Sequence, residues 1–269
     1  MVSLCFLITP AGVFAGQDAK QYTLTPTFWA AGIDIDATTI KGRSVSADTD
    51  FEFISDNLDF GAAAGFEYWF DGWGIMVSDM YIDLGLAADF EPRIGPTLST
   101  DLDIRMNLFE AALLKSDILS DDESGNAPPG EFRPGLSVEP LGGIRIGTLK
   151  QELDLKLTPS QLVSVGESSR TIEGSDWWLE LFVGGRLKYG FSKRWDLHFR
   201  GDIGGIKAGD ETVFSWTLSA GLEYRPWKLA SIQLGYRIYD FNYENEKDDD
   251  TFELDAMLHG PVFGVSFFF

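Results

Sequence analysis

Hydrophobic and polar residues alternate singly through four consecutive segments between residues 176 and 243. In the last segment, Leu234 and Tyr236 fall on one face, while Gln233 and Arg237 fall on the other. Successive side chains of a β-strand point to opposite sides of the sheet, so this period of two predicts strands. Short connections join the segments, which predicts an antiparallel array of hairpins.

The length of these segments indicates which solvent each face meets. Each is about twice as long as a typical soluble strand of about 5–6 residues, and about 9–11 residues are enough to cross the hydrocarbon. The turns at 71–72, 192–194 and 226–228 are short, whereas the other connections are mostly long and polar. This asymmetry is typical of bacterial outer-membrane barrels, in which apolar residues face lipid and charged residues face the lumen. A soluble β-barrel, with the two faces exchanged, is the alternative.

Aromatic residues gather beside the short turns and at the chain end, which predicts an aromatic girdle at one membrane interface. They are Tyr68, Trp69, Phe70, Trp73, Tyr189, Phe191, Trp195, Tyr224, Trp227 and Phe269. The chain closes on Gly264, Phe267 and Phe269, a pattern that resembles the signal read by the outer-membrane assembly machinery. We therefore predict this machinery as a partner during biogenesis.

The same alternation, followed along the whole chain, predicts ten strands. They cover residues 22–36, 57–70, 73–86, 101–114, 135–149, 176–191, 195–207, 211–225, 229–243 and 251–269. The predicted fold class is all-β, a single antiparallel up-and-down transmembrane β-barrel, with eight strands as the fallback count. Gly260-Pro261 interrupts the last strand and predicts a β-bulge. The acidic, Gly- and Pro-rich segment 116–134 is predicted to be irregular, and it is long for a connection on the side of the short turns.

Residues 1–15 are predicted to be the remnant of a signal peptide, and 16–269 to be the barrel domain. The only cysteine, Cys5, lies in that remnant, so we expect no disulfide in the mature chain. The chain has 42 acidic and 21 basic residues, and a net charge of −21 argues against nucleic acid as a partner. We predict a monomer in the bacterial outer membrane, in contact with lipid and lipopolysaccharide and without a cofactor.

Several short motifs resemble a family of uncharacterised Gram-negative outer-membrane β-barrel proteins, which are small barrels of the OmpA-like or porin-like kind. The matching pieces are Trp178, Gly184-Gly185-Arg186, the run 200–205, the run 221–225, Leu234-Gly235-Tyr236-Arg237, Gly260-Pro261 and the run 57–60. The family often has Asp-Pro where this chain has Glu180-Leu181. The resemblance covers most of the chain, is weak from Leu86 to Gly135, and implies fold and location but no established activity.

The polar face of the predicted strands supplies the candidate site, a set of charged residues in the lumen. The ion-pair candidates are Glu139, Arg145, Glu180, Arg186, Asp196, His198, Arg200, Asp202, Glu223 and Arg237; Asp59, Glu67, Asp79, Asp83, Asp103, Arg105 and Lys188 are also predicted to face inward. Buried charges must pair because an isolated ion is costly in such a lumen. We expect Arg186, Arg200 and Arg237 to pair with carboxylates such as Glu180, Asp202 and Glu223.

Two classes of function follow from a lumen of this kind. One is a structural or surface-interaction barrel whose lumen is filled by its own side chains; the other is a narrow or gated channel or carrier for small solutes. Asp196 and His198 also suggest an omptin-like protease, but they lie at the short-turn end, whereas an omptin site needs the external rim. We therefore assign no catalytic residue and predict no enzyme.

Two features of the sequence bear on metal binding, the histidines and an acidic run. Two histidines and no mature cysteine argue against a zinc site. The acidic run from Glu244 to Asp250 is predicted to be a solvated external loop, with divalent-cation binding at the lipopolysaccharide surface as the alternative.

Overall fold

A computed structural model describes residues 21–40, 43–47, 58–90, 97–118, 135–158, 168–208, 211–247 and 250–269. The strands are β1 (Gln21–Trp29), β2 (Gly32–Ile40), β3 (Arg43–Ala47), β4 (Leu58–Phe70), β5 (Trp73–Phe90), β6 (Thr97–Lys115), β7 (Asp117–Ile118), β8 (Gly135–Thr158), β9 (Ser168–Ser192), β10 (Trp195–Ala208), β11 (Glu211–Tyr224), β12 (Ala230–Lys247) and β13 (Asp250–Phe268). Among the described residues, no helix is long and apolar enough to cross a bilayer. The predicted signal peptide lies outside them.

The strands close into an antiparallel barrel. Their order is β1-β4-β5-β6-β8-β9-β10-β11-β12-β13, and β13 pairs back with β1 to complete the ring. β2 continues the path of β1 after a break at Ala30-Ala31 and pairs with the outer part of β13. β3 forms a short hairpin with β2, and β7 pairs with β8. The barrel thus has ten strands, which confirms the predicted fold class and count.

One end of the barrel, the turn end, carries the tight connections and both ends of the strand ring. Asp71 and Gly72 have φ values of 49° and 72°, as the central residues of a type I′ hairpin turn require. The Phe269 N–H donates to the Tyr22 carbonyl at 2.9 Å beside them. β6 also ends here, because the Ser116 N–H donates to the Gly72 carbonyl at 2.8 Å. The segment 119–134, which follows, lies outside the described residues.

The opposite end, the loop end, is built from extended strands to a greater extent than the sequence predicted. β8 and β9 are the longest strands, with 24 and 25 residues. The acidic run predicted to be a loop is largely strand, since β12 continues to Lys247 and β13 begins at Asp250, opposite it in register. The prediction of mostly long external loops is therefore wrong here, because backbone pairing continues beyond the membrane.

Around the turn-end half, the outer surface is an apolar belt. Its exposed side chains include Leu24, Phe28, Phe66, Ile75, Leu113, Ile144, Leu179, Leu181, Val183, Leu187, Phe199, Ile203, Phe214, Leu218, Leu222, Leu234, Tyr236, Phe263 and Phe267. Girdle aromatics lie below it, with Trp195 and Tyr224 rings 4.6 Å apart and Tyr22 and Tyr68 rings 4.9 Å apart. Such a surface suits hydrocarbon bounded by an interface. Trp69 is the exception to the predicted girdle, because it lines the lumen.

In the loop-end half, the polarity of the two faces is reversed. The inward side chains there form an apolar plug, which consists of Trp29, Ala31, Met80, Ile82, Ile104, Met106, Leu108, Leu149, Trp178, Val213, Tyr239, Phe241, Tyr243, Leu254, Ala256 and Leu258. Four charged residues that were predicted to face the lumen, Asp79, Asp83, Asp103 and Arg105, instead alternate with plug residues and point outward. This part of the wall faces water, so charged side chains belong outside and apolar ones inside. The side chain of Asp59 lies outside the described residues.

At the seam between the first and last barrel strands, β1 ends at Trp29 and β2 begins at Gly32. Trp29 pairs with Val262 and Gly32 with His259, so Ala30 and Ala31 stand opposite Gly260 and Pro261. Any Cβ at position 260 would collide with the Ala30 carbonyl oxygen, so the two backbones approach here as only glycine permits. The predicted bulge at Gly260-Pro261 is wrong, because β13 stays in continuous register with β12 and the break lies on the neighbouring strand.

Substitutions at neighbouring positions of β12 test the two faces. We expect Leu234→Arg to lower the free energy of unfolding by about 2–4 kcal/mol, because a basic side chain would face hydrocarbon near the midplane. Gln233→Arg should cost less, because position 233 faces the lumen and pairs with Glu223 in register. Urea unfolding in lipid vesicles would measure both, and equal losses would contradict the face assignment.

Candidate functional site

The centre of the lumen holds a fully buried arginine that binds three carboxylates. Glu110 on β6, Arg145 on β8 and Glu180 on β9 are direct cross-strand neighbours. Arg145 Nε donates to Glu110 Oε1 at 2.8 Å, and Nη1 donates to Glu180 Oε1 at 2.7 Å. Nη2 donates to Asp202 Oδ1 at 2.7 Å, and Nη1 also reaches the Ser215 hydroxyl at 2.8 Å. One side chain thereby links five consecutive barrel strands, β6 to β11.

Arg200 completes this central cluster, which comprises Glu110, Arg145, Glu180, Arg200, Asp202 and Ser215. Its Nε donates to Asp202 Oδ2 at 2.8 Å, and Nη2 donates to Glu110 Oε2 at 3.1 Å. The Phe182 ring lies 4.6 Å from the Arg145 guanidinium and 5.8 Å from that of Arg200. Paired, hydrogen-bonded ions of this kind tolerate burial, whereas the loss of one partner leaves an uncompensated charge.

A second cluster spans the lumen nearer the turn end. Arg186 on β9 forms ion pairs with Glu67 on β4 and with Glu139 on β8, and its Nε donates to Glu139 Oε2 at 2.9 Å. Lys188 Nζ lies 3.4 Å from Glu139 Oε1. Trp69 shares the inward face of β4 with Glu67, and its Nε1 donates to Glu67 Oε2 at 3.1 Å. The cluster therefore ties opposite walls of the barrel together.

A third cluster lies beside the turns of β10 and β11. His198 Nε2 is 2.7 Å from Glu223 Oε2, so the histidine meets a facing carboxylate. Ligand atoms of Asp196, His198 and Glu223 all lie within 4.8 Å of one another, a convergence that the sequence did not reveal. Arg225, however, lies 2.5 Å from Asp196 and 3.0 Å from Glu223, so both carboxylates already have a cation. Asp196 and His198 lie at the turn end, as predicted from the sequence.

A cavity of about 410 Å³ occupies the turn-end half of the lumen, between these clusters. Its charged residues come from β8 to β12 and, with Glu67, from β4. Its facing wall carries neutral polar groups, among them Thr23, Thr25, Thr27, Gln233 and Ser266. Towards the loop end, the central cluster bounds the cavity, and the apolar plug fills the lumen beyond it. Within the plug, the Trp178 and Phe241 rings are 5.7 Å apart, and those of Tyr239 and Phe241 are 5.6 Å apart.

The structure places all ten ion-pair candidates on inward faces, and the expected pair of Arg200 with Asp202 forms, whereas the other arginines have different partners from those expected. Arg186 binds Glu67 and Glu139, and Arg145, not one of the three arginines singled out, takes the central position. Sequence reasoning missed Glu110 because it placed Asp103 and Arg105 inward on the same strand. The signal was present: Phe109, Ala111 and Leu113 form an apolar outward row, which puts Glu110 inside.

A closed ring of ten antiparallel strands, an apolar belt with aromatics at the turn end and a charged lumen define a bacterial outer-membrane β-barrel protein. The chain matches no family model, and no curated protein matches it.

Solved structures similar to the chain include three outer-membrane barrels. The outer-membrane protease OmpT from Escherichia coli is 8% identical, covering 96% of this chain and 99% of that one with a TM-score of 0.49. Ail of Yersinia pestis is 12% identical, covering 93% and 99%, with a TM-score of 0.34. OprG from Pseudomonas aeruginosa is 13% identical, covering 94% and 98%, with a TM-score of 0.34. Residue correspondences are undefined at such identities, so the lumen is interpreted from this chain's own geometry.

Removing the central guanidinium should destabilise the barrel strongly. We expect Arg145→Met to lower the free energy of unfolding by about 3–5 kcal/mol, because three buried carboxylates would lose their common partner. The matched control is Arg105→Met: Arg105 is 48% exposed and 3.4 Å from Asp83, so about 0–1 kcal/mol is expected. Urea unfolding in vesicles measures both variants, and similar losses would contradict a central role for Arg145.

Proposed function

We propose that the protein is a closed outer-membrane barrel with a structural or surface-interaction role. The side chains in its lumen link the strands and stabilise the barrel. The observation that carries the proposal is the sealing of the lumen by two successive layers of different chemistry. The central cluster forms the first layer, and the apolar plug forms the second. A solute would have to displace both layers to cross.

The first layer resists displacement because its charges are mutually satisfied. Arg145 and Glu180 have no exposed side-chain surface, and Ser215 donates to Glu180 Oε2 at 2.9 Å. Separating Arg145 from its partners would leave buried ions unpaired. A narrow barrel filled by its own side chains agrees with this reading, since wide channels need about sixteen strands.

The second layer closes the lumen by packing. Tyr239, Tyr243 and Leu254 have no exposed surface, and Trp178 stacks against Phe241. The Tyr243 hydroxyl donates to Asp176 Oδ2 at 2.7 Å, so the polar tip of this side chain is satisfied. Apolar constrictions of this kind exclude water and ions.

The contacts of the barrel with its surroundings follow from its surfaces. The apolar belt fits membrane lipid, and the charged outer face of the loop end would lie at the level of lipopolysaccharide. We infer a monomer, because the ring leaves no open sheet edge along most of its wall. Phe267 and Phe269 point outward at the end of β13, available to the assembly machinery, and Gly264 points inward opposite Thr27.

The cavity favours a second candidate, a gated channel or carrier for small solutes. A polar cavity of about 410 Å³ already fills the turn-end half, so only the two layers separate it from the loop end. In this alternative both layers would have to rearrange together.

Bilayer conductance separates the two candidates. We expect the wild-type protein to be silent, and Arg145→Ala to remain silent because the apolar plug persists. Tyr239→Ala with Phe241→Ala should also be silent because the central cluster persists, whereas the triple variant should conduct. A gel-mobility difference before and after heating would verify that each variant is folded. Steady conductance by the wild-type protein would contradict the closed barrel and favour the channel.

A further inference from the structure

Basic residues are concentrated in the lining of the cavity in the turn-end half. Arg186, Lys188, Arg200, Arg225 and Arg237 line it. Five of the 21 basic residues therefore face the cavity, against four of the 42 acidic ones, Glu67, Glu139, Asp196 and Glu223. Arg200 pairs with Asp202 and Glu110, which lie outside the lining, and the other four cations equal the four carboxylates in number.

Among these cations, Arg237 has the weakest ion pair. The nearest carboxylate is Glu110, whose Oε1 lies 3.9 Å from Arg237 Nη2. Glu110 is already engaged, because Oε1 accepts from Arg145, and Oε2 accepts from Arg200 at 3.1 Å and from Ser78 at 3.2 Å. A single carboxylate thus serves three guanidinium groups, and Arg237 is the most distant of them.

Among the described residues, Arg237 forms no second ion pair. Its Nε is buried and has no hydrogen-bond partner, and Nη1 has only the Met80 sulfur, at 3.9 Å. The guanidinium lies 5.2 Å from the Trp29 ring, which holds its position without supplying a charge. The Arg237 side chain is 19% exposed and lines the cavity, so its guanidinium can offer N–H donors to an anion there.

The cavity supplies room and further donors next to this group. Ser219 is the cross-strand neighbour of Arg237 on β11 and also lines the cavity. Thr25 and Thr27 present hydroxyls from the facing wall. The volume of about 410 Å³ lies within the range of about 300–1,000 Å³ found for small-molecule sites.

We propose that the cavity binds a small oxyanion, a carboxylate or phosphate compound, with its charged oxygens on Arg237 and its polar body against the hydroxyl wall. The site goes beyond the structural role proposed above and does not require transport. A guanidinium fork suits such anions because it can offer two parallel N–H donors. The ligand would enter from the turn end, where the cavity lies, and so would be a free periplasmic anion rather than a lipid headgroup.

The test is titration of the refolded full chain in uncharged detergent with inorganic phosphate and with succinate. Chloride and ethylenediammonium at equal ionic strength serve as controls, since screening alone must be held constant. We expect a saturable change in tryptophan fluorescence and a rise in Tm with at least one of the two oxyanions and with neither control. A wild-type protein that responds to neither oxyanion would overturn the proposal.

Three variants test where the oxyanion binds. Arg237→Gln should weaken binding about tenfold or more, because a charge-assisted hydrogen bond is lost. Arg194→Gln removes the same charge from the exposed turn at Lys193-Arg194 and should bind like the wild type. Trp29→Phe should keep the rise in Tm and lose the fluorescence change. Wild-type binding by Arg237→Gln would overturn the assignment.

The anion-binding proposal and the closed-barrel proposal can be contradicted independently of each other. Absence of oxyanion binding in a protein that does not conduct overturns the binding site and leaves the closed barrel intact. Saturable binding, lost in Arg237→Gln, in a protein that conducts steadily supports the site and contradicts closure.

Discussion

The interaction on which the rest of the structure depends is the one between Arg145 and its three carboxylates. Charges without water must be matched locally, and here a single guanidinium matches groups from β6, β9 and β10. Because these partners belong to different hairpins, the cluster requires the wall to have closed to its present curvature. The position of Arg200 and the weak pairing of Arg237 both follow from how Glu110 is shared.

The reversal of face polarity shows that each long strand meets two environments. In β12, Leu234 and Tyr236 are exposed to lipid and Arg237 faces the lumen, whereas farther along Tyr239, Phe241 and Tyr243 are the buried residues. The backbone register never shifts between these halves. The two halves of the strand therefore differ only in which side chains they carry, and not in register. The apolar plug consequently lies next to the central cluster, on its loop-end side.

How far the sequence predicts this molecule depends on the range of the interaction. Strand number and direction were predictable because the period of two and the Asp-Gly turn are local signals. The inward position of Glu110 was not recovered, because one solvent was assumed along the whole of β6. The pairing of Arg186 with Glu67 joins residues 119 positions apart across the lumen, so it depends on the curvature of the closed wall. Trp69, by contrast, faces inward for a local reason, because it lies two residues from the inward Glu67 on the same strand.

The seam at Ala30 and Gly260 has a consequence for the order in which the molecule forms. Nearly every other strand pair joins consecutive hairpin arms, whereas the contact between the Thr25 and Ser266 hydroxyls spans 241 positions. Long-range closure carries the largest entropy cost and gains its contacts last. Until then the chain would form an open, curved sheet with two unpaired edge strands. The last step of closure has to bring the Ala30 backbone against Gly260, where only a glycine leaves room for the Ala30 carbonyl oxygen. The ring is complete only after this contact has formed.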